Sequence, residues 1–150
     1  MEVQERNERM FAYLSAMLPY GLKCRISCFY GVKVASLTGV MIGVDGKPRA
    51  YFEELKGEAN GGFYPMNAVV PYLRGLETIT ENEDKEIADI VNVDSFMRDE
   101  YMMVFCSSTD DEFVGFGNIR MMLKYLMERR IDCFNMISKG LALPATENIY

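Results

Sequence analysis

Apolar residues near the start of the chain recur at the three- and four-residue spacing of an amphipathic helix. The apolar positions are Val3, Met10, Phe11, Leu14, Met17 and Leu18. Glu and Arg occupy much of the rest of the segment, so the spacing predicts one face packed on a core. Pro19 and Gly21 end this helix, because proline lacks an amide donor and clashes with the preceding turn.

The next segment, LKCRISC at 22–28, alternates with a period of two. Leucine, isoleucine and both cysteines fall on one side and the polar residues on the other, which is typical of a half-buried strand. In a strand, Cys24 and Cys28 would lie about 13 Å apart at ~3.3 Å per residue. A disulfide needs Cα atoms within about 7 Å, and a shared zinc ion needs similar closeness. We therefore predict two buried, unbridged, metal-free thiols.

Further strands are predicted in the middle of the chain. Residues 32–44 are β-rich, and Asp45-Gly46 is a hairpin turn signal before a return strand at 49–54. A short strand is predicted at 62–66. The segment NAVVPYLR at 67–74 has a proline in its middle, which predicts an edge piece or a single turn rather than a central strand.

The last part of the chain is predicted to be mainly helical. Thr80 to Glu83 forms a capping box that opens a helix to about Val91. YMMVFC at 101–106 predicts a strand, and an apolar stripe predicts a helix from about Asn118. A second short helix is predicted at 134–139, before Gly140.

These elements predict an α+β fold in one globular domain covering residues 1–150. An amino-terminal helix and a helical carboxy-terminal third would pack on a small, mostly antiparallel sheet, for which barrel-like closure is an alternative. Hydrophobic residues make up 49% of the chain and charged residues 25%, as in soluble globular proteins. The charged start has no signal-peptide core, no apolar run reaches the ~18 residues of a membrane span, and the expected location is the cytoplasm.

The sequence contains no histidine. Ser-His-Asp and Cys-His catalytic systems are therefore excluded within this chain, and the commonest zinc ligand is missing. We predict a protein that is not an enzyme, with no catalytic residues, no cofactor and no metal site. A carboxylate–metal enzyme is the alternative, and it would use Asp110, Asp111 and Glu112, which as neighbours in a turn point in different directions.

The net charge of −6 is unevenly distributed. Residues 75–117 carry two basic and twelve acidic groups, whereas the segments on either side each carry a net +2. This balance disfavours general nucleic-acid binding. It suggests an acidic partner surface that mimics DNA phosphates, against the alternative of an ordinary solvated helix and loop. The predicted residues of this surface are Glu81, Glu83, Asp84, Asp110, Asp111 and Glu112.

A second candidate site is basic and lies on the first predicted sheet. Lys23 and Arg25 occupy the strand side opposite the cysteines, and Lys33, Arg49 and Tyr51 are predicted to join them across the hairpins. Such a face could hold a nucleotide or another anionic ligand, with tyrosine as a stacking surface. An exposed sheet face without a ligand is the alternative.

Two further motifs in the carboxy-terminal part suggest ligand binding. The helices after residue 118, with Arg120, Lys124, Arg129 and Arg130, suggest a DNA-binding helix-turn-helix, against plain helix packing. The segment at 115–118, GFGN, could bind an anion, although it lacks the third glycine of a dinucleotide fingerprint and is more typical of a turn into a helix.

Three sequence blocks together resemble a known family. They are LPYGLK at 18–23, VVPYLRGLETIT at 69–80 and IDCFNMISKGLAL at 131–143. In the same order they resemble blocks of a family of small proteins encoded by phages and prophages of gut Bacteroidales. That family often has Trp-His before the final block, where this chain has Arg129-Arg130. The resemblance implies a phage context and no activity.

The sequence thus leads to two functional hypotheses from different classes. The first is a phage accessory protein that binds and inhibits a host protein, such as an antiviral defence protein, in the bacterial cytoplasm. The second is a sponge, as a homo-oligomer, that sequesters a small nucleotide signal on the basic face. Neither involves a membrane.

Overall fold

A computed structural model describes residues 2–91, 95–98, 103–106 and 116–150. The α+β class is confirmed, with three α-helices and nine strands in these ranges. The predicted amino-terminal helix is present, and the sheets seen in these ranges stay open rather than closing into a barrel. The helices are α1 (Val3–Met17), α2 (Glu81–Val91) and α3 (Phe116–Glu128). The strands are β1 (Lys23–Cys28), β2 (Gly31–Ser36), β3 (Gly39–Ile42), β4 (Pro48–Tyr51), β5 (Phe63–Pro65), β6 (Val69–Leu73), β7 (Ser95–Arg98), β8 (Met103–Cys106) and β9 (Leu143–Pro144).

The first sheet has the strand order β2-β1-β6-β9, antiparallel except for the β6–β9 pair. Cys24 lies opposite Ala35, and both are buried. Arg25 lies opposite Val34, which is exposed. Residues directly opposite in an antiparallel pair share a face of the sheet. The alternation read from LKCRISC therefore places the cysteines on the inner face, as predicted.

The two cysteines of β1 differ in burial. Cys24 is completely buried, whereas Cys28 is only half-buried, so the prediction that both are buried is wrong for Cys28. Cys28 lies near the end of the strand, where its Sγ is 3.8 Å from the hydroxyl of Tyr64. Both are free thiols, as is Cys133, and the described residues hold no group of three side chains that could bind a metal. Burial raises the pKa of the Cys24 thiol well above its usual range.

We expect Cys24→Ala to lower the free energy of unfolding by about 1–2 kcal/mol, because the change removes one small buried group. Urea titration of the variant and the wild type measures this loss. Cys28→Ala is the matched control on the same strand, and it should cost less because solvent already reaches that side chain. Release of zinc on denaturation would contradict the assignment of Cys24 as a core residue.

The proline-containing segment forms a central strand, which corrects the prediction of an edge piece or turn. Strand β6 lies between β1 and β9, with Pro71 opposite Cys24. The backbone amide and carbonyl of Cys24 point toward β2, where they bond to Ala35. They therefore point away from β6, so the pair formed by Cys24 and Pro71 has no hydrogen bonds. Its ring nitrogen faces the side of β9, where pairing begins only at Tyr72. The missing amide donor therefore interrupts no ladder.

The β-rich run at 32–44 contributes to two sheets. The amide of Leu37 donates to Leu22, which extends the first sheet, and the next amide, of Thr38, donates to Tyr51 in the second sheet. The second sheet has the order β3-β4-β5 and is antiparallel. Its β3–β4 turn holds Gly46 at φ 74°, which confirms the predicted Asp45-Gly46 turn.

The helical part has its own apolar core. The predicted capping box is confirmed, since the Thr80 hydroxyl accepts from the Glu83 amide at 3.2 Å and the Glu83 carboxylate accepts from the Thr80 amide at 3.1 Å. Buried side chains of α2 and α3 form a helix core, separate from the sheet core beneath the two sheets. The helix core consists of Leu76, Ile79, Ile87, Val91, Met122, Tyr125, Leu126 and Ile131. The predicted strand at 101–106 is seen as β8, which pairs with the unpredicted β7.

The predicted helix at 134–139 is wrong, because this segment is a series of turns. The buried Asp132 carboxylate accepts hydrogen bonds from the amides of Met136 and Ile137, both at 2.8 Å. Asn135 has a positive φ of 56°, which a continuous helix does not allow. The Asp132 carboxylate thus holds the amides of Met136 and Ile137, and the positive φ at Asn135 prevents these residues from continuing a helix.

Candidate functional site

The structure brings Lys23 and Arg25 together on the outer face of the first sheet, as predicted. This outer face is the side of β1, β2 and β6 opposite the sheet core, and its side chains are half-buried or exposed. Arg25 lies at its centre, directly between Val34 on β2 and Val70 on β6. The outer face consists of Lys23, Arg25, Ser27, Val32, Val34, Val70 and Tyr72.

The two cations of the outer face have no acidic partner among the residues that the structure describes. Neither Lys23 nor Arg25 forms an ion pair there, whereas Lys33 on β2 pairs with Glu58 and Arg74, just after β6, pairs with Glu83. The Nε of Arg25 is buried and has no hydrogen-bond partner within the described ranges. Burying that donor without a partner costs free energy, and no carboxylate of the described residues lies beside the guanidinium to offset its charge.

Tyr150 bonds to the backbone at the Lys23 end of the β1–β6 pair. Its hydroxyl accepts from the amide of Lys23 at 3.0 Å and donates to the carbonyl of Tyr72 at 2.7 Å, so it bridges β1 and β6. Burial raises the pKa of Tyr150 to about 12, which keeps the hydroxyl protonated as a donor at neutral pH. The guanidinium of Arg130 lies 4.2 Å above the Tyr150 ring and donates to the carbonyl of Tyr20 at 3.0 Å.

The other predicted members of the basic face lie elsewhere. Lys33 is opposite Ile26, so it belongs to the inner face of the sheet and pairs with Glu58. Arg49 and Tyr51 lie on β4 in the second sheet. Arg49 is bound at 2.8 Å by both carboxylate oxygens of Asp45. The prediction that these three residues join Lys23 and Arg25 is therefore wrong.

The side chain of Tyr51 has two partners of its own in the second sheet. The Tyr51 hydroxyl donates to Glu53, and its ring packs on Phe63 with a centroid separation of 4.6 Å. The error has a physical reason, since the transfer between sheets at Leu37 and Thr38 separates β4 from β1. Alternation along a strand gives the facing of each residue but not the sheet to which the strand belongs.

The predicted acidic surface is only partly described. Glu83 points to Arg74 and Arg129 and is 13% exposed, so it is a structural residue and not a partner contact. Glu81 is exposed and Asp84 half-buried in the first turn of α2, where negative charge favours the helix. The prediction for Asp110, Asp111 and Glu112 lies outside the described residues.

The predicted helix-turn-helix is wrong, because its second helix is a series of turns. Its basic residues also have internal partners. Arg129 binds Glu83 and Glu86 and lies 3.5 Å above the ring of Tyr125, and Lys124 pairs with Glu128 at 3.8 Å. In the GFGN segment, Gly117 and Asn118 belong to α3, and Gly115 lies outside the described residues.

Two concave sites occur away from the outer face. A groove of about 850 Å³ lies between α1 and the β3–β4 turn, with Phe11, Ile42 and Met66 in its wall. A smaller cavity of about 370 Å³ lies beside Tyr13 and Phe134. The smaller cavity includes Lys139 and Arg9, of which Arg9 pairs with Glu5, and neither cavity includes Lys23 or Arg25. The outer face is therefore an open surface rather than a pocket.

The hairpin that joins β1 to β2 carries the most exposed aromatic side chains of the described residues. Phe29 is 94% exposed and Tyr30 is 85% exposed, and their rings meet edge to face at 5.1 Å. We call this pair the aromatic tip. Sequence reasoning missed it, because CFYG continues the apolar character of β1 without a sign that the strand ends at Cys28.

No helix of the described ranges is long and apolar enough to cross a membrane. Comparison of the chain with protein-family models, with curated proteins and with solved structures gave no significant match.

Proposed function

We propose that the chain is a non-enzymatic phage accessory protein that binds an acidic surface of a host protein through the outer face and inhibits that host protein. The observation that carries this proposal is the pair of cations, Lys23 and Arg25, held without acidic partners on an open sheet face. The phage-type sequence blocks support a host protein, such as an antiviral defence protein in the bacterial cytoplasm, as the target.

The chemistry of the outer face suits a protein partner. Arg25 is flanked by valines and lies on the same face as Tyr72, and tyrosine and arginine are enriched among the residues that dominate binding energy. A partly buried arginine beside apolar groups can form a bidentate pair with a carboxylate that is itself desolvated on binding. The apolar neighbours then exclude water from that pair.

A nucleotide sponge remains the second hypothesis, and the shape of the site disfavours it. Small ligands are usually bound in concave sites that cover most of their surface. The outer face is open, and neither of the two cavities described above includes Lys23 or Arg25. A thermal-shift screen with cyclic oligonucleotides discriminates, since a ligand at 100 times its Kd adds about 2.7 kcal/mol to stability.

We expect Arg25→Glu to reduce recovery of the host partner at least about tenfold, because it places a carboxylate against an acidic surface. The measurement is affinity capture from host lysate with defence proteins expressed, followed by quantitative mass spectrometry. Lys47→Glu is the matched control, since it makes the same charge change at the exposed β3–β4 turn. Capture should also weaken as salt rises, because exposed charges are screened.

Recovery of no stoichiometric partner, or equal recovery by Arg25→Glu and Lys47→Glu, would contradict the proposal. A melting shift with a nucleotide that Arg25→Glu abolishes would favour the sponge instead.

A further inference from the structure

Strand β2 forms one edge of the first sheet, and its outward backbone groups are only partly satisfied. Within the described residues it pairs with β1 and with no other strand. The amide of Leu37 donates to the carbonyl of Leu22, so the pair formed by these two residues is hydrogen-bonded. Hydrogen-bonded pairs alternate along an antiparallel ladder, so the backbone groups of the residues at 35 and 33 also point toward β1. The backbone groups of Val32, Val34 and Ser36 therefore point away from the sheet.

One end of this edge is already closed. The amide of Ser36 donates to the Glu54 carboxylate at 2.9 Å, and its carbonyl accepts from the Thr38 hydroxyl at 3.2 Å. Val32 and Val34 have no such partners among the described residues. Their side chains are also exposed, at 63% and 46%. The free edge thus consists of two β-branched residues with unpaired amides and carbonyls, which is a template for another strand.

We propose that the occupant of this edge is the β2 strand of a second copy of the chain, in an antiparallel pair about a two-fold axis at Lys33. In this register Val32 lies opposite the partner's Val34, and Val34 opposite the partner's Val32. Each such pair exchanges two backbone hydrogen bonds. The register uses every free group of Val32 and Val34 and needs none of those already bound at Ser36, so the edge is complementary to itself.

The side chains at the edge fit the same arrangement. The valines of the two copies would form one apolar cluster on the outer face, and the aromatic tip of each copy would lie near the partner's residues 36–38. Aromatic side chains bury about 150–250 Å² each. Complete coverage of the four rings in two tips would contribute at most roughly 600–1,000 Å², and with the valines and paired backbones the interface can reach the ~1,000 Å² expected of a specific interface.

Charge does not oppose this pairing. The two Lys33 side chains would lie on the inner face beside the axis, and each is already paired with Glu58 of its own chain. The outer faces of the two copies would join into one continuous sheet, so that Arg25 of each copy lies on a common surface.

The sharpest test is a cysteine at the proposed axis. Residues at 33 would form a pair without hydrogen bonds, with Cα atoms about 4.5 Å apart, which is within the range for a disulfide. Under mild oxidation Lys33→Cys should give a covalent dimer on a non-reducing gel, beyond the level of the wild type. Ser27→Cys is the control: its side chain is exposed, but β1 lies between β2 and β6 rather than at the edge, so it should give no covalent dimer.

A second test removes one outward donor without touching the fold. Val34→Pro deletes the amide that points away from β1, so the β1–β2 ladder keeps its bonds. The wild type and Val34→Thr, which retains the amide and the branched side chain, should have twice the 17.1 kDa chain mass by light scattering. Val34→Pro should have the mass of one chain, with an unchanged circular dichroism spectrum.

A wild type that stays monomeric at about 100 µM, or equal cross-linking of the cysteine variants at 33 and 27, would overturn the proposal. If the wild type is monomeric and Val34→Pro instead loses a host protein in affinity capture, a strand of that protein occupies the edge and the dimer is wrong. Arg25→Glu should leave the mass unchanged, which separates this test from that of the proposed function.

Discussion

Asp132→Ala is expected to lower the free energy of unfolding by about 3–4 kcal/mol, the largest effect predicted for a single side chain. Asp132 is 5% exposed, and its two carboxylate oxygens each accept a short amide hydrogen bond, from Met136 and Ile137. Hydrogen bonds to charged groups contribute about 1.5–3 kcal/mol each. Alanine would leave both amides without an acceptor in a region that water reaches poorly.

Two control variants separate this effect from a general loss of charge. Asp132→Asn keeps the shape of the side chain but retains only one acceptor oxygen. Its free energy of unfolding should therefore lie between those of the wild type and Asp132→Ala. Glu147→Ala removes a carboxylate from an exposed position and should change stability by less than about 0.5 kcal/mol. Urea titration measures all three, and a loss below about 1 kcal/mol for Asp132→Ala would show that the turns at 132–141 do not depend on this carboxylate.

Glu83→Gln is expected to cost about 2 kcal/mol at pH 7. Arg74 binds both oxygens of Glu83 through its two terminal nitrogens, at 3.1 and 2.9 Å. This pair is the main reason why the pKa of Glu83 falls from 4.5 to about 2, with the Thr80 amide adding to the effect. A shift of that size corresponds to about 3 kcal/mol at most, and solvent at the pair reduces it.

The same shift predicts a pH dependence. Because the pKa of Glu83 is lower in the folded state, its contribution is complete above the unfolded value of about 4.5 and is lost as the pH falls toward 2. The difference in stability between the wild type and Glu83→Gln should therefore shrink between pH 5 and pH 2. Glu81→Gln, an exposed change on the same helix, is the control, and a difference that stays constant over this range would contradict the assignment.

The local elements could be predicted from the sequence because their signals are local. The periods of 3.6 and 2.0 residues identified α1 and β1, and the Thr80–Glu83 box identified the start of α2. The placement of Lys23 and Arg25 on the face opposite the cysteines followed from the period of two residues along β1. Each of these predictions depends on neighbours within four residues along the chain.

The remaining features depend on partners that are distant in sequence. Pro71 is compatible with a central strand only because β9 begins to pair one residue later, and Lys33 is removed from the basic face by the register with Ile26. The hydroxyl of Tyr150 reaches β1 by accepting from the amide of Lys23, which is 127 residues away along the chain. The turns at 134–139 are hydrogen-bonded to one buried carboxylate, that of Asp132, and periodicity carries no information about any of these contacts.

The separation of the sheet core from the helix core has a consequence for native-state hydrogen exchange. Among the described residues, two backbone bonds join the two regions, from the Arg74 amide to the Arg130 carbonyl and from the Asp132 amide to the Arg74 carbonyl, and Met127 of α3 packs against the sheet core. A region with its own small core and few links to the rest can open locally without global unfolding. The amides of α2 and α3 should therefore exchange together, faster than those of β1 and β6, and this helical pair should become accessible to a protease before these two strands.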